Sequence, residues 1–480
     1  MNIEYLERLI SGELLGGFLH IVENEGNLRI PGYIKLSAEG QISVRLVLEE
    51  GSSVFAGLEQ SLAISVNGNW VSPQEIPKVC FFESIGGVLT LIQTRRPHSL
   101  GHIIGRPVEV EVSPQYVVAG ELAKGLWKNP VALRAEIGGL SQWMHDSRVT
   151  RSISLNVVED ERPGYDKVQL ETIDFSTFRH EITVAKTEKY LTIRPSKEYF
   201  RSRGTDEIGI RFRAVVETAD EPVSTWEESL HTLHRFQDLV NLLSWRSFSP
   251  SNLEGRFLQN TDNNLDFWKG TGMKPPPPPS PVGPWLKLFN SRFPTTFGSL
   301  RRKETTGFIL PFANLREETV AKWFELREEK SHPLEMFLQV ITQPQMAPPV
   351  KALQLGAGLE SLGFKIKEAE TSKKEADELS AKQLFELVAE PALGLFPSEF
   401  KTWVSDANKA YQAMKHLSRT LPPTAEIAKT NDRTSLIVQI WLASALGASD
   451  SSIRDYVEKQ PRFRSEYEKV PDPSTLQLDS

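Results

Sequence analysis

The sequence predicts an α+β protein: a β-rich, sandwich-like N-terminal region followed by an all-α helical bundle. Three observations predict it. Up to about residue 220, short segments alternate apolar and polar residues at period two or are β-branched. At about residue 222 the apolar period becomes that of a helix. From about residue 313 onward, helical segments follow one another between Pro and Gly breaks.

The first strands are expected in "FLHIVE", "GYIKLS", "QISVRLVLEE", "LAISVNG", "GVLTLIQT" and "PVEVEVSPQYVV", with Gly and Asn turns between them. Repeated short strands of this kind fit an antiparallel sandwich or barrel. A second group, "RSISLNVVED", "KVQLETIDF", "HEITVAKT", "YLTIRP" and "IGIRFRAVVETA", continues that sheet or forms another. Between the groups, "EIGGLSQWMHDSRVT" reads as a loop or short turn anchored by Trp143.

In "PVSTWEESLHTLHRFQDLVNLLSW" Ser224 or Thr225 caps a helix with acids in its first turn. Leu230, Leu233, Phe236, Leu239, Leu242 and Leu243 form its apolar stripe. A polar stretch with five consecutive prolines (275–279) follows and reads as a stiff polyproline II spacer. Helices are then expected in "LREETVAKWFELREE", "HPLEMFLQVITQPQ", "VKALQLGAGLESLGF", "KKEADELSAKQLFELVAE", "PSEFKTWVSDANKAYQAMKHLSR", "DRTSLIVQIWLASALG" and "SSIRDYVEKQP". The chain thus divides into a β-rich region 1–221, a helix and Pro-rich connector 222–312, and a helical domain 313–480.

The 480 residues carry a net charge of -7, which argues against a general nucleic-acid coat but leaves room for a local basic patch. No apolar run approaches the ~18 residues of a membrane helix. Glu4, Glu7 and Glu13 stand where a signal peptide is basic and then apolar, so a cytoplasmic location is expected, with no membrane partner. The single cysteine, Cys80, excludes internal disulfides and reads as a small buried residue of a strand.

GxxxxGK[ST], GxSxG, HExxH and EF-hand patterns are all missing. His98 and His102 in "HSLGH" lie in an expected loop without a third ligand. His231 and His234 in "HTLHRF" read as a solvated helix flank. No metal or cofactor is expected.

Metal-free RNA cleavage needs a base for the 2′-hydroxyl proton, a donor for the leaving 5′-oxygen and a cation for the phosphorus charge. His and Arg supply these. Arg96 with His102 falls in an expected loop. Arg327 with His332 stands among Glu325, Glu328 and Glu329, which repel phosphate, and reads as a chance match. The last helices contain no such pair. They do contain "WVSDANKAYQAMKHLSR", which reads as a surface helix carrying Lys409, Lys415 and Arg419, Tyr411 and His416, yet with bare methyls at Ala407 and Ala413.

The chain resembles the ApeA-like antiphage (abortive-infection) proteins, which join a β-rich N-terminal domain to a C-terminal HEPN ribonuclease domain. The N-terminal resemblance rests on "GGFLHI", "IPGYIKLSAEGQISVRLVLE", "VLTLIQT" and "EIGGLSQWM". The C-terminal one rests on "WVSDANKAYQAMKH" followed by "TSLIVQIWLASALG". HEPN ribonucleases carry Arg, usually then Asn, and His after a gap of about four to six residues. Asn408 matches the Asn, so the resemblance places Arg at 407 and His at 413, or at 412 with a shorter gap; this chain has alanines at 407 and 413. It therefore implies an endoribonuclease that cuts cellular RNA on infection, present here in an inactivated Ala407/Ala413 form. The alternative is a naturally degenerate, non-catalytic binding or regulatory module.

On this reading Lys409, Tyr411, Lys415, His416 and Arg419 bind RNA, with tRNA one candidate. The β-rich region senses a phage-derived trigger or restrains the nuclease, and the protein pairs as a homodimer or higher homo-oligomer. Solvated-face readings compete for the cations, a helix-end role for His416, and packing for Tyr411. A third hypothesis, a ligand-binding β-sandwich, needs aromatic platforms such as Trp70 and Trp127, which core packing explains more simply.

Overall fold

The computed structural model describes residues 2–23, 26–37, 42–47, 79–94, 98–103, 106–120, 130–145, 151–159, 166–175, 180–184, 189–201, 208–220, 226–257, 282–283, 285–289, 307–416 and 418–460. It is an α+β structure. Strands run β1 (Leu15–Glu23), β2 (Gly26–Leu36), β3 (Ile42–Val47), β4 (Val79–Ser84), β5 (Gly87–Thr94), β6 (His98–Ile103), β7 (Arg106–Val112) and β8 (Pro114–Ala119). They continue with β9 (Ala132–Glu136), β10 (Arg151–Glu159), β11 (Asp166–Phe175), β12 (His180–Val184), β13 (Lys189–Arg201), β14 (Ile208–Asp220), β15 (Ser251–Arg256) and β16 (Leu286–Phe289).

The helices are α1 (Asn2–Ile10), α2 (Leu140–His145), α3 (Trp226–Ser244), α4 (Glu317–Glu329), α5 (Ser331–Thr342) and α6 (Pro348–Glu370). After them come α7 (Lys373–Asp377), α8 (Ala381–Leu395), α9 (Pro397–Phe400), α10 (Trp403–Lys415), α11 (Thr424–Ala445) and α12 (Asp450–Lys459).

Contacts group the chain into two units, each made of three separate stretches of sequence. Unit 1 comprises Met1–Glu136, Val215–Leu233 and Ser249–Leu300; unit 2 comprises Ile137–Ala214, His234–Phe248 and Arg301–Ser480.

Unit 1 is an antiparallel sheet in the order β14-β9-β15-β16-β8-β5-β4-β1-β2-β3-β7-β6. Period-two patterning builds it: Ile42, Val44 and Leu46 of β3 face a core shared with Leu19, Ile34, Phe82, Leu89, Leu91 and Val112. Tyr5, Leu6 and Leu9 of α1 close that core. Cys80 is buried in β4, as expected, and burial pushes its thiol up to about 12, away from any reactive range. A row of alternating charge fixes the register at the other end of the sheet. Arg134 pairs with Glu254 across β9 and β15, and Lys287 of β16 donates to Glu7 of α1 at 2.7 Å.

Unit 2 contains the β10–β11 and β12–β13 hairpins and the helical bundle. In the bundle α6 packs against α5, α8, α10 and α11. Its glycines let the neighbours approach: a Cβ on Gly358 would meet the Phe337 ring at 2.6 Å, and one on Gly363 the Leu384 carbonyl oxygen at 2.2 Å. The anchor expected at Trp143 is buried; its Nε1–H donates to Leu310 O at 2.7 Å and its ring stacks on Phe308.

Three expectations are corrected. The segment read as a loop around Trp143 contains the helix α2, whose Leu140, Trp143 and Met144 are buried. "HSLGH", read as a loop, is β6, paired with β7 through bulges at Ser99/Gly101 and Gly101/His102. The 222–312 connector contributes β15 and β16 to the sheet, because Leu253 and Leu288 find a core there that a local pattern does not reveal. The predicted strand "LAISVNG", the cap at Ser224 or Thr225, the five prolines, Trp70, Trp127 and Arg96 lie outside the described residues.

Candidate functional site

Helix α10 carries most of the residues singled out above. It starts after Thr402, with Asp406 in its first turn and Lys415 in its last, the signs that suit the helix dipole. It ends where His416 turns extended, its amide still bonded to Gln412 O at 3.0 Å. Pro422 and Pro423 follow within a few residues, where a helix cannot continue.

This is not a freely exposed surface helix. Trp403, Val404, Ala407, Ala410 and Tyr411 are buried, an i, i+4, i+7 stripe turned into the bundle. Trp403 Nε1–H donates to Thr434 Oγ1 at 3.0 Å, and the Phe385 ring lies 6.4 Å from Trp403 and 5.8 Å from Tyr411. Ala410 packs with Ala352 and Ile427.

Ala407 lies between Trp403 and Tyr411 around the helix, about 40° from each. It is 6% exposed and sits in the middle of the inward stripe. Ala413 is also buried but lies about 120° away, on the flank. Asn408 is half-buried, and Lys409, Lys415, His416 and Arg419 are exposed.

Tyr411 does not present its ring to solvent. The ring lies on Gly356 of α6, where an added Cβ would meet it at 2.3 Å. Its hydroxyl donates a short hydrogen bond to Glu360 Oε2. Lys415 Nζ stands 3.5 Å from both that oxygen and the Tyr411 hydroxyl, and 5.2 Å from the ring centre. Burial first, and the Glu360 carboxylate second, push the Tyr411 pKa above its ordinary value, so the hydroxyl remains a donor at neutral pH. Replacing Tyr411 by Phe leaves Glu360 with Lys415 as its partner and is expected to lower stability by ~1 kcal/mol, read from a urea melt. An unchanged midpoint would show that the bond contributes nothing.

Lys409 and Arg419, with the imidazole of His416, remain on the exposed side, with Asn408 beside Lys409. These can hold phosphates, whereas the methyls at 407 and 413 can neither accept nor donate a proton. The other Arg–His pair is committed elsewhere. Arg327 Nε donates to Asp238 Oδ2 at 3.0 Å and Nη2 to Glu335 Oε2 at 2.8 Å, while His332 Nδ1 lies 3.4 Å from Ser361 Oγ. Reading the sequence for this site missed Glu360 and the seat at Gly356. The run "LGAGLESLGF" was a signal, since glycines inside a helix often mark close approach.

No helix of the described residues is long and apolar enough to cross a membrane. Residues 15–305 match ApeA N-terminal domain 1. No curated protein and no solved structure matches the chain.

Proposed function

The chain belongs to the family defined by ApeA N-terminal domain 1, and from that membership we propose an antiphage defence protein whose C-terminal bundle is a HEPN-type domain. One observation carries the second half. Asn408 stands beside the exposed Lys409 on a bundle helix, flanked by bare methyls at the two positions where a ribonuclease of that type holds Arg and His. With those side chains present, His would take the 2′-hydroxyl proton, O2′ would attack phosphorus to close a 2′,3′-cyclic phosphate, the imidazolium would return that proton to the departing 5′-oxygen, and Arg would steady the phosphorane charge. No metal enters that route. As the sequence stands, the bundle binds RNA through Lys409, His416 and Arg419 without cutting it.

The position of Ala407 favours a second reading, a module that is non-catalytic by nature. An arginine at the middle of the inward stripe would have to fit between Trp403 and Tyr411 and find a partner there.

The test restores both residues, Ala407→Arg with Ala413→His, in a bacterial host with and without phage, following growth and total RNA. Melting of the purified variant is measured alongside. Growth arrest with RNA fragments, missing from the parent, is the expected result for a defence ribonuclease. A variant that melts like the parent and leaves RNA intact would overturn that reading in favour of the binding module. A variant that no longer folds identifies 407 as a core position, and also supports the second reading.

A further inference from the structure

One face of the unit 1 sheet is covered and the other is partly open. Residues 15, 19, 30, 34, 44, 46, 80 and 82 of β1 to β4 face the core. Their alternates face outward. The cross-strand register puts Phe81, His20 and Arg29 in one row and Glu83, Phe18 and Pro31 in the next. Gly16, Tyr33, Arg45 and Glu111 form a third. Two residues on from the Phe18–Glu83 pair come Gly16 and Ile85, the latter at the tip of the β4–β5 turn.

This outward surface is unusually apolar at one end. Leu14 is 58% exposed, Phe18 37% and Ile85 fully exposed. Gly16 adds an open notch: a Cβ placed there would meet nothing within 4 Å. Exposed aliphatic and aromatic residues that adjoin on one face mark an interaction surface.

The charges around it discriminate between occupants. Arg45 is committed to Glu111 at 3.1 Å and to the Tyr33 hydroxyl at 3.5 Å. His20 Nε2 lies 2.8 Å from Glu83 Oε2. Arg29 differs. Its guanidinium stacks 4.0 Å from the Phe18 ring centre, it is 55% exposed, and its nearest carboxylate, Glu83, is 3.7 Å away, beyond a good charge-assisted hydrogen bond. The two arginines are matched by two glutamates, so the face lacks the cationic excess that a nucleic-acid backbone requires. Its size argues against a second copy of the chain. About six residues along β1 and the three strands β4, β1 and β2 give roughly 300 Å², against the ~800 Å² per partner of a stable dimer.

We propose that the outward face of β4, β1 and β2 docks a short segment of a partner protein. An apolar side chain of that segment fills the Gly16 notch between Phe18 and Ile85, and a neighbouring carboxylate takes the hydrogen-bond donors of Arg29. The docking stands on unit 1 alone and is independent of the ribonuclease reading.

The experiment pans a displayed library of random peptides, about eight residues long so that each can cross ~20 Å when extended, against the full chain. The enriched peptides are then measured against Phe18→Ala, Arg29→Ala and Ile85→Ser, all surface changes whose melting is checked against the parent. The expected result is an apolar residue next to Asp or Glu in the enriched peptides, with at least tenfold weaker binding to each variant. Enrichment without that pattern, no enrichment, or equal binding to parent and variants overturns the proposal. So does a single-stranded oligouridylate whose binding is lost in Arg29→Ala, or self-association lost in Phe18→Ala. These would assign the face to nucleic acid or to a second copy.

Discussion

Gly363→Ala lowers the stability of the helical bundle, while Gly394→Ala raises it, although both replace a glycine inside a helix. At Gly363 the added methyl would stand 2.2 Å from the Leu384 carbonyl oxygen, 2.7 Å from its carbonyl carbon and 2.9 Å from its Cα. These are backbone atoms of the facing helix, so no rotamer change relieves the contact. α6 and α8 must move apart along their whole crossing. Overpacking of this kind costs ~1–3 kcal/mol, and forcing a backbone apart lies at the upper end. The better helix propensity of alanine returns ~1 kcal/mol. A net loss of ~2 kcal/mol is expected. At Gly394 of α8 nothing lies within 4 Å of the added methyl, so the propensity gain of up to ~1 kcal/mol stands alone. Urea melts of the two variants check the opposite signs. A Gly363→Ala midpoint at or above that of the parent would show that the helices are not held at this separation.

Arg327→Met has a comparable effect, with a pH signature. Arg327 ties three helices of unit 2 together: its Nε bonds Asp238 of α3, its Nη2 bonds Glu335 of α5, and it stands on α4 itself. Its side chain is 11% exposed and that of Asp238 21%. Burial raises the Asp238 pKa to about 6, outweighing the attraction of Arg327; Glu335 adds to the rise and Arg235 opposes it. The sign follows from that shift. A carboxyl whose folded pKa lies above its ordinary value favours the folded state when protonated, and that contribution is lost as pH rises through about 6. At pH 7 Asp238 is ionised and Arg327 is its compensating charge.

Removing the guanidinium leaves the carboxylate poorly solvated, and breaking a buried pair costs ~3 kcal/mol at the low end of the range, appropriate to a partly exposed pair. Without Arg327 the Asp238 carboxyl takes up its proton at a higher pH than in the parent, so the deficit is largest at the alkaline end and shrinks as pH falls toward about 6. Asp238→Asn should remove the same pH dependence from the parent. Melting temperatures of the three proteins between pH 5 and pH 8 test this. A deficit that does not change with pH would sink the assignment to Asp238.

Much of the architecture is legible along the chain. The period-two segments from "FLHIVE" to "PVEVEVSPQYVV" became strands where they are described, since alternation states directly which side of a pleat is buried. The C-terminal helices also fell on their apolar repeats, except that "KKEADELSAKQLFELVAE" is divided into α7 and α8, and "PSEFKTWVSDANKAYQAMKHLSR" into α9 and α10. What failed was short or polar. β15 reads "SNLEGR" and is a strand because Leu253 and Gly255 meet β9 and β16, more than a hundred residues away in one case. β6 was hidden by its glycine and its bulges.

The site divides the same way. Asn408, Lys409 and the helical register of α10 can be read from neighbours in sequence, because a 3.6-residue repeat is local information. The sidedness of that helix is not local. Ala407 faces inward because Trp403 and Tyr411 enter the bundle. Tyr411 became a buried donor rather than a stacking platform because Gly356 and Glu360, some fifty residues earlier, meet it there. Arg327 was taken from any phosphate by Asp238, eighty-nine residues away. Sequence periodicity states which side chains leave water together. Which distant groups they then meet is settled by packing, and a buried polar group must find its partner among whatever packing brings near.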